Sequence, residues 1–435
     1  MTEQALGPVR TASTASVHPT PAWAQARKSL LLPAFWVVVA LLVLGAVRVA
    51  GFVGESFADY PVATAAALGL FTLYAVPFLI FVAALDYLER EPPLLMATAF
   101  LWGGLVATSI SIRGTGALYN LLAKVVSPVF AATWGPTLAG PTVEEVAKVL
   151  GVVAIVLIAR AQVNSVLDGV VYGALVGLGF QVVENVAYAV NAVAMSGRGD
   201  QVGPVMATFL LRGFLAGLWS HTLFTALAGA GIGYLVVRTD RSTLERVGVV
   251  AVAFVGAWAC HVLWNSPLLG DGFGAGGLGL FAGLLVKGLP PLLLILLLVR
   301  SVRHHEADYY TAHLAALGDS RVATTAELRV LGQGHLRANA RRYAYARAGG
   351  RGRQAVRRLQ RAQSRLALAL SRGEAGEQWR DAALVERARL VAINHPQGVA
   401  GVGGNGILRR TVLALGSGVL VLMTVWVGIR AIGAA

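Results

Sequence analysis

The 435-residue chain has a single cysteine, Cys260, and few charges: only 13% of its residues are Asp, Glu, Lys or Arg. One cysteine excludes a disulfide framework and a zinc ribbon built on thiolates. Soluble domains carry roughly 25% charged residues. The shortfall here, with 56% hydrophobic residues and a mean hydropathy of +0.66, excludes a disordered chain, a collagen-like fibre and a soluble multidomain enzyme. Several catalytic signatures are missing too: no Walker loop, no GxGxxG after a strand, no Gly-x-Ser-x-Gly elbow and no HExxH. Lysine is absent from residues 300–410, which hold 20 arginines against 8 acidic residues and so supply +12 of the formal net charge of +14.

What the chain does have is long apolar runs. Nine of them, at about 31–53, 61–85, 94–112, 141–159, 166–192, 207–236, 247–266, 278–299 and 411–432, approach the roughly 20 residues that cross a bilayer. The expected fold is all-α: a polytopic transmembrane helical bundle of eight or nine spans with a cytoplasmic Arg-rich helical tail. The expected division is an N-terminal cytoplasmic segment 1–30, a membrane core 31–299, the basic tail 300–410 and a C-terminal span 411–432. The first run starts too far in, and is too long, for a simple cleaved signal peptide. Arg27 and Lys28 precede it, which places the N-terminus inside, and alternation then puts Arg160, Arg238, Arg241, Arg246, Arg300 and Arg303 on the same side. The stretch 113–140, with Pro128 and Pro136 and then Pro141, reads as an outer loop with a partly inserted helix. The tail reads as helical pieces at 307–317, 324–346 and 353–372, parted by Gly318 and by Gly349–Gly352. Its arginines fit retention inside and contact with anionic lipid. With no zinc-finger or RNA-motif signature, nucleic acid is not an expected partner.

A titratable group inside hydrocarbon costs at least about 2.5–3.5 kcal/mol and is functional by default. The spans contain Glu144, Glu145, Lys148, Glu184, Arg212, His221, His261 and Lys287, concentrated in the fourth to seventh runs. Glu144 and Lys148 share a helix face. Glu145 lies about 100° round, where it either meets another partner or closes a capping box with Thr142. Gly173 and Gly177 form a small-residue face for a neighbouring helix. Asp168, near the inner end of its run, reads as a cap or interface residue. His261 and Asn265 share a face, and Cys260 points away from it and reads as packing. Glutamates and histidines on facing helices suit hydrolysis, with a glutamate as general base and a histidine or asparagine donating to the oxyanion. A metal site would have to be assembled from separate helices, with His221, His261 and Glu184 as ligands and zinc as the fitting ion. Three glutamates against Lys148, Arg212 and Lys287 sum to zero without a metal, which leans toward a metal-free glutamate mechanism if those cations lie close.

At these residues the sequence resembles the PrsW family of intramembrane proteases, within the group that includes the CAAX-processing and bacteriocin-immunity membrane proteases. The matching pieces are Asp86-Tyr-Leu-Glu-Arg-Glu-Pro-Pro93 with Phe100 and Trp102-Gly103; Glu144-Glu145-Val-Ala-Lys148; Asp168-Gly169, Tyr172-Gly173, Gly177-Leu-Gly-Phe180, Glu184-Asn185 and Tyr188; His221-Thr222; and His261-Val-Leu-Trp264-Asn265. They run in order over residues 86–265. The resemblance implies an intramembrane endopeptidase with Glu144, Glu145, Glu184, His221 and His261 as its site and Asn265 as a helper. It implies a metalloprotease label, and substrates such as single-span anti-sigma factors in a bacterial cytoplasmic membrane. Two other classes compete. An ion- or proton-coupled transporter would use the same buried groups but would often show two related halves with interrupted helices, and no such symmetry is visible. A non-enzymatic scaffold would leave the buried charges without a purpose.

Overall fold

Proline starts much of the membrane-embedded part. Pro33, Pro61, Pro93 and Pro128 each open a helix, where the missing N–H costs nothing and φ is already set. The computed structural model describes residues 30–85, 91–217, 220–269, 276–395 and 397–400, and the regular elements among them are all helical. In order they are α1 (Pro33–Asp59), α2 (Pro61–Leu85), α3 (Pro93–Val125), α4 (Pro128–Ala159), α5 (Val166–Ser196), α6 (Val202–Thr208), α7 (His221–Val237), α8 (Thr243–Asn265), α9 (Gly276–Ala315), α10 (Thr325–Leu331), α11 (Gly334–Ser371) and α12 (Glu377–Ala392). Two stretches wind as π-helix: Trp102–Ala107 inside α3, and Phe209–Leu215 continuing α6. The described chain divides into two compact units at Arg303 and His304. Six helices, α1, α2, α3, α5, α8 and α9, are long and apolar enough to cross a membrane. The protein is an integral membrane protein.

Two sequence expectations change. The stretch 113–140 is not a loop: α3 runs on to Val125, and α4 starts at Pro128, where the Ser127 side chain caps the Phe130 N–H at 3.1 Å. Pro136 and Pro141 lie inside α4, because surrounding helices re-satisfy the backbone groups that proline frees in a membrane bundle. The apolar run 207–236 is not one span. The α6–π segment ends at Leu215 and α7 begins at His221, so this run is a broken pair of short apolar helices. The expected N-terminal segment, the Asp86–Arg90 part of the motif and the run 411–432 lie outside the described residues.

Helix α5 is the centre of the membrane unit. Its most apolar window is 83% buried, and none of the other five such helices exceeds 44%. Its start is fixed by a capping box between Ser165 and Asp168, which gives Asp168 the structural role that the sequence suggested. Two glycine seams let other backbones reach it. A Cβ on Gly177 would fall 2.3 Å from the His221 carbonyl oxygen of α7, and one on Gly179 would fall 1.9 Å from the Phe100 carbonyl oxygen of α3. Trp102, from the π stretch of α3, donates to the Ala147 carbonyl at 3.0 Å and ties α3 to α4. These contacts hold α4, α5 and α7 in fixed register around one buried point.

The second unit is built around one acid. Glu327 closes the capping box of α10 with Thr324. It also accepts from Gln363 of α11 at 3.1 Å and from the Gly398 N–H at 2.7 Å, and pairs with Arg387 of α12. Gly318, at φ +62°, ends α9's run, and Gly349, at φ +60°, kinks α11; the sequence marked both as breaks, while α12 was not anticipated. Burial pushes the Glu327 carboxyl up, but the Arg387 fork and the Gly398 and Thr324 N–H groups outweigh it and hold its pKa below the usual glutamate value. A depressed carboxylate stabilises the fold above its unfolded pKa, about 4.3, and that contribution is lost as pH falls through the lower native value. Arg387→Ala should therefore destabilise this unit by about 3 kcal/mol, the low end for breaking a buried pair, because Glu327 keeps its other donors. Protease resistance of the tail near neutral pH checks it. Resistance equal to wild type would show that Glu327 needs no cation.

Candidate active site

Three ionisable groups come from one helix because α4 is continuous through Pro141. Thr142 is mid-helix, not a cap: its hydroxyl accepts from Trp258 Nε1 at 3.1 Å. Glu145 is thereby free of a capping role. Its Oε1 accepts from Lys148 Nζ at 2.6 Å and from His261 Nδ1, on α8, at 2.8 Å. Lys148 is fully buried, with its ammonium 4.6 Å from the centroid of the Phe180 ring. It also lies 3.0 Å from His221 Nδ1 and 3.7 Å from Glu144 Oε2.

The hydrogen-bond network assigns the ring protons. An ammonium only donates and a carboxylate only accepts. His221 therefore accepts at Nδ1 from Lys148 and donates at Nε2 to Glu184 Oε2, 2.8 Å away. His261 donates at Nδ1 to Glu145 and accepts at Nε2 from Asn265 Nδ2 at 3.2 Å. Each imidazole thus turns an unprotonated nitrogen toward the same oxygen: His221 Nδ1 and His261 Nε2 each lie 3.8 Å from Glu144 Oε2. That oxygen is buried and has no hydrogen-bond partner among the described residues. The ligand atoms of Glu144, His221 and His261 all lie within 4.8 Å of one another.

Two imidazoles and one carboxylate form a donor set that zinc accepts, and each imidazole is backed by a carboxylate, the usual support for a ligating histidine. The residues fit a metal that takes the His221 Nδ1 and His261 Nε2 lone pairs in place of the Lys148 and Asn265 hydrogen bonds. The converging acid is Glu144 rather than the Glu184 anticipated from the sequence. Glu184 Oε2 is held by Arg212 Nη2 at 2.6 Å as well as by His221, so it backs the His221 ring instead of joining the group. The charge sum that favoured a metal-free mechanism also fails. Lys287 donates to the Ser266 carbonyl at 2.6 Å and makes no ion pair among the described residues. Glu144, Glu145 and Glu184 against Lys148 and Arg212 leave one negative charge, which suits a bound cation.

A cavity of about 510 Å³ opens beside this group, within the range of ligand-binding clefts. Glu144, Glu184, His221 and Asn265 line it, with Arg212 and Tyr188. Glu145, Lys148 and His261 stand behind that wall. The Asn265 side-chain amide donates to the Pro136 carbonyl at 3.4 Å, and the Asn265 main-chain carbonyl accepts from the Thr137 hydroxyl at 2.9 Å. Phe224 stacks on the His261 ring at 5.2 Å, and Cys260 packs in the same small apolar cluster. Sequence reasoning counted Arg212 in the charge sum and quoted Asn185 in the Glu184-Asn185 motif, but gave neither a role in the site. Arg212 reaches Asn185 Oδ1 at 2.7 Å through Nε and lies over the Tyr188 ring at 3.8 Å. The signal was available: a guanidinium in a span needs an acid, and Glu184 was the intramembrane acid left without a cation on its own helix.

Residues 91–296 match the family model described as PrsW family intramembrane metalloprotease. No curated protein and no solved structure matches the chain.

Proposed function

We propose, for a chain whose residues 91–296 make it a member of the PrsW family of intramembrane proteases, that Glu144, His221 and His261 hold a zinc ion at which peptide bonds of membrane-associated proteins are cut. The observation that carries this is the buried Glu144 Oε2, which has no hydrogen-bond partner among the described residues and faces two imidazole nitrogens, with a carboxylate behind each ring. Bound there, the metal supplies Lewis acidity toward a peptide carbonyl and toward a water. Glu145 fixes the His261 ring and its tautomer, and Glu184 does the same for His221. Glu184 also faces the cavity, where it takes the proton of the attacking water as general base. Arg212 clamps that carboxylate in place. The Asn265 amide, beside the His261 ring on the cavity wall, donates to the carbonyl oxygen as charge builds on it.

The substrate class follows from location. A site built from Glu144, Glu184, His221 and His261 on buried helices is reached by a polypeptide already in or at the membrane. Single-span regulators, anti-sigma factors among them, meet that condition. The flanking arginines support an N-terminus inside a bacterial cytoplasmic membrane. The test is metal removal from the full chain in proteoliposomes with a co-reconstituted single-span substrate. Chelation should abolish cleavage, zinc should restore it, and the active protein should hold about one metal per chain, as for a three-ligand catalytic site. Full activity from demonstrably metal-free protein would overturn the reading.

A further inference from the structure

Three acids of the second compact unit, Asp319, Glu327 and Glu386, are held by arginines. Asp319 pairs with Arg321 and Arg380, Glu327 with Arg387, and Glu386 with Arg389 and Arg358. A separate set of arginines receives none of them. Arg353, Arg357, Arg361 and Arg365 follow at four-residue spacing on α11, so they share one side of the helix. All four are exposed, and none makes an ion pair among the described residues. The opposite side of the same stretch buries Val356, Leu359 and Leu366, so packing is supplied without the arginines. A fifth guanidinium adds to the crowd. Partial burial, then the nearby Arg357 and Arg353, push the pKa of Arg341 below its ordinary value, which places like charges together with no counter-ion between them. Like charges gathered in this way are unfavourable unless an anion joins them, and the guanidinium fork is matched to phosphate.

We propose that this arginine face docks on the phosphate headgroups of anionic lipid in the membrane that the chain itself spans. The unit continues from α9, an apolar helix of spanning length, so the face is tethered to a bilayer and its effective concentration there is high. Arg-rich segments next to spans are retained on the cytoplasmic side, whose leaflet carries the anionic lipids. Nucleic acid is the less fitting anion. Residues 353–365 contain no aromatic side chain, so a single strand finds no stacking platform between the charges. The inference rests on the tail alone and is independent of the metal site.

The test uses the full-length chain in nanodiscs of phosphatidylcholine alone, or with roughly 30% phosphatidylglycerol to supply the anionic surface. A pulse of phenylglyoxal modifies accessible guanidinium groups, and mass spectrometry reads each arginine. Phosphatidylglycerol should slow modification of Arg353, Arg357, Arg361 and Arg365 about fivefold, and about 0.5 M salt should remove most of that protection by screening. The Arg357→Gln/Arg361→Gln variant should lose the protection at Arg353 and Arg365 while its rates in phosphatidylcholine stay at the wild-type values. Equal rates in the two lipid compositions would overturn the proposal. So would protection by an RNA of about 20 nucleotides, added to phosphatidylcholine discs at low salt, that equals or exceeds protection by phosphatidylglycerol.

Discussion

His221→Ala is expected to lower cleavage of a single-span reporter by about 10²–10⁴-fold, the range set by loss of a group acting directly in the reaction, while the chain still inserts. The size of the effect follows from how many contacts meet on that ring. His221 Nδ1 faces Glu144 Oε2, and Nε2 fixes Glu184 at 2.8 Å. Alanine removes a proposed ligand and frees the carboxylate behind it in one step. Glu144→Gln and His261→Ala should match it, and all three should lose bound metal. Glu145→Gln is the contrast. Glu145 stands behind the cavity wall and touches His261 only at Nδ1. Its loss should cost about 10–100-fold in activity or metal affinity, as for a group that orients a ligand. Wild-type cleavage by His221→Ala would remove the site assignment altogether.

Lys148→Met is expected to destabilise the membrane unit by about 3–5 kcal/mol, the cost of leaving one member of a buried ion pair alone. Lys148 and Glu145 are both wholly buried and lie 2.6 Å apart. Methionine keeps the apolar stem against Phe180 but removes the charge that Glu145 was buried with. The unfolding midpoint in detergent should fall by on the order of 10 °C. Glu145→Gln/Lys148→Met should recover part of that loss, since removing both charges is far cheaper than stranding one. If the double variant is as unstable as Lys148→Met, Lys148 acts through packing and not through its charge.

Most of the site could be read from the sequence because charge in hydrocarbon is rare and costly. Glu144, Glu145, Glu184, His221 and His261 stood out against apolar runs, and the structure places all five within one network. Asn265 was legible by its four-residue offset from His261. The division of labour among the three acids was not legible. Helical period gives the angle between Glu144 and Glu145, but which of them meets two imidazoles depends on where α7 and α8 cross α4. Long helices were found by hydropathy, and errors fell where hydropathy and helix continuity part company. Pro128, Pro136 and Pro141 suggested a loop because proline breaks helices in water. The run 207–236 stayed apolar through a real break, so composition gave no sign of the π stretch or the restart at His221.

The glycine seams of α5 bear on how a polymer gets in. Gly177 brings α5 against the main chain of α7 beside His221, and Gly179 does the same against α3 at Phe100. Main chain pressed on main chain leaves no slack, so these flanks behave as a fixed anvil that keeps Glu184 and His221 at a constant interval. The other boundary of the cavity is different in kind. There Tyr119 leans over Gly135, and Trp264 and Asn265 complete the wall, so the neighbours meet through side chains that can swing aside. Room for a long strand therefore comes from side chains at Tyr119, Trp264 and Asn265, while the α5–α7 seam that sets the spacing of Glu184 and His221 stays still.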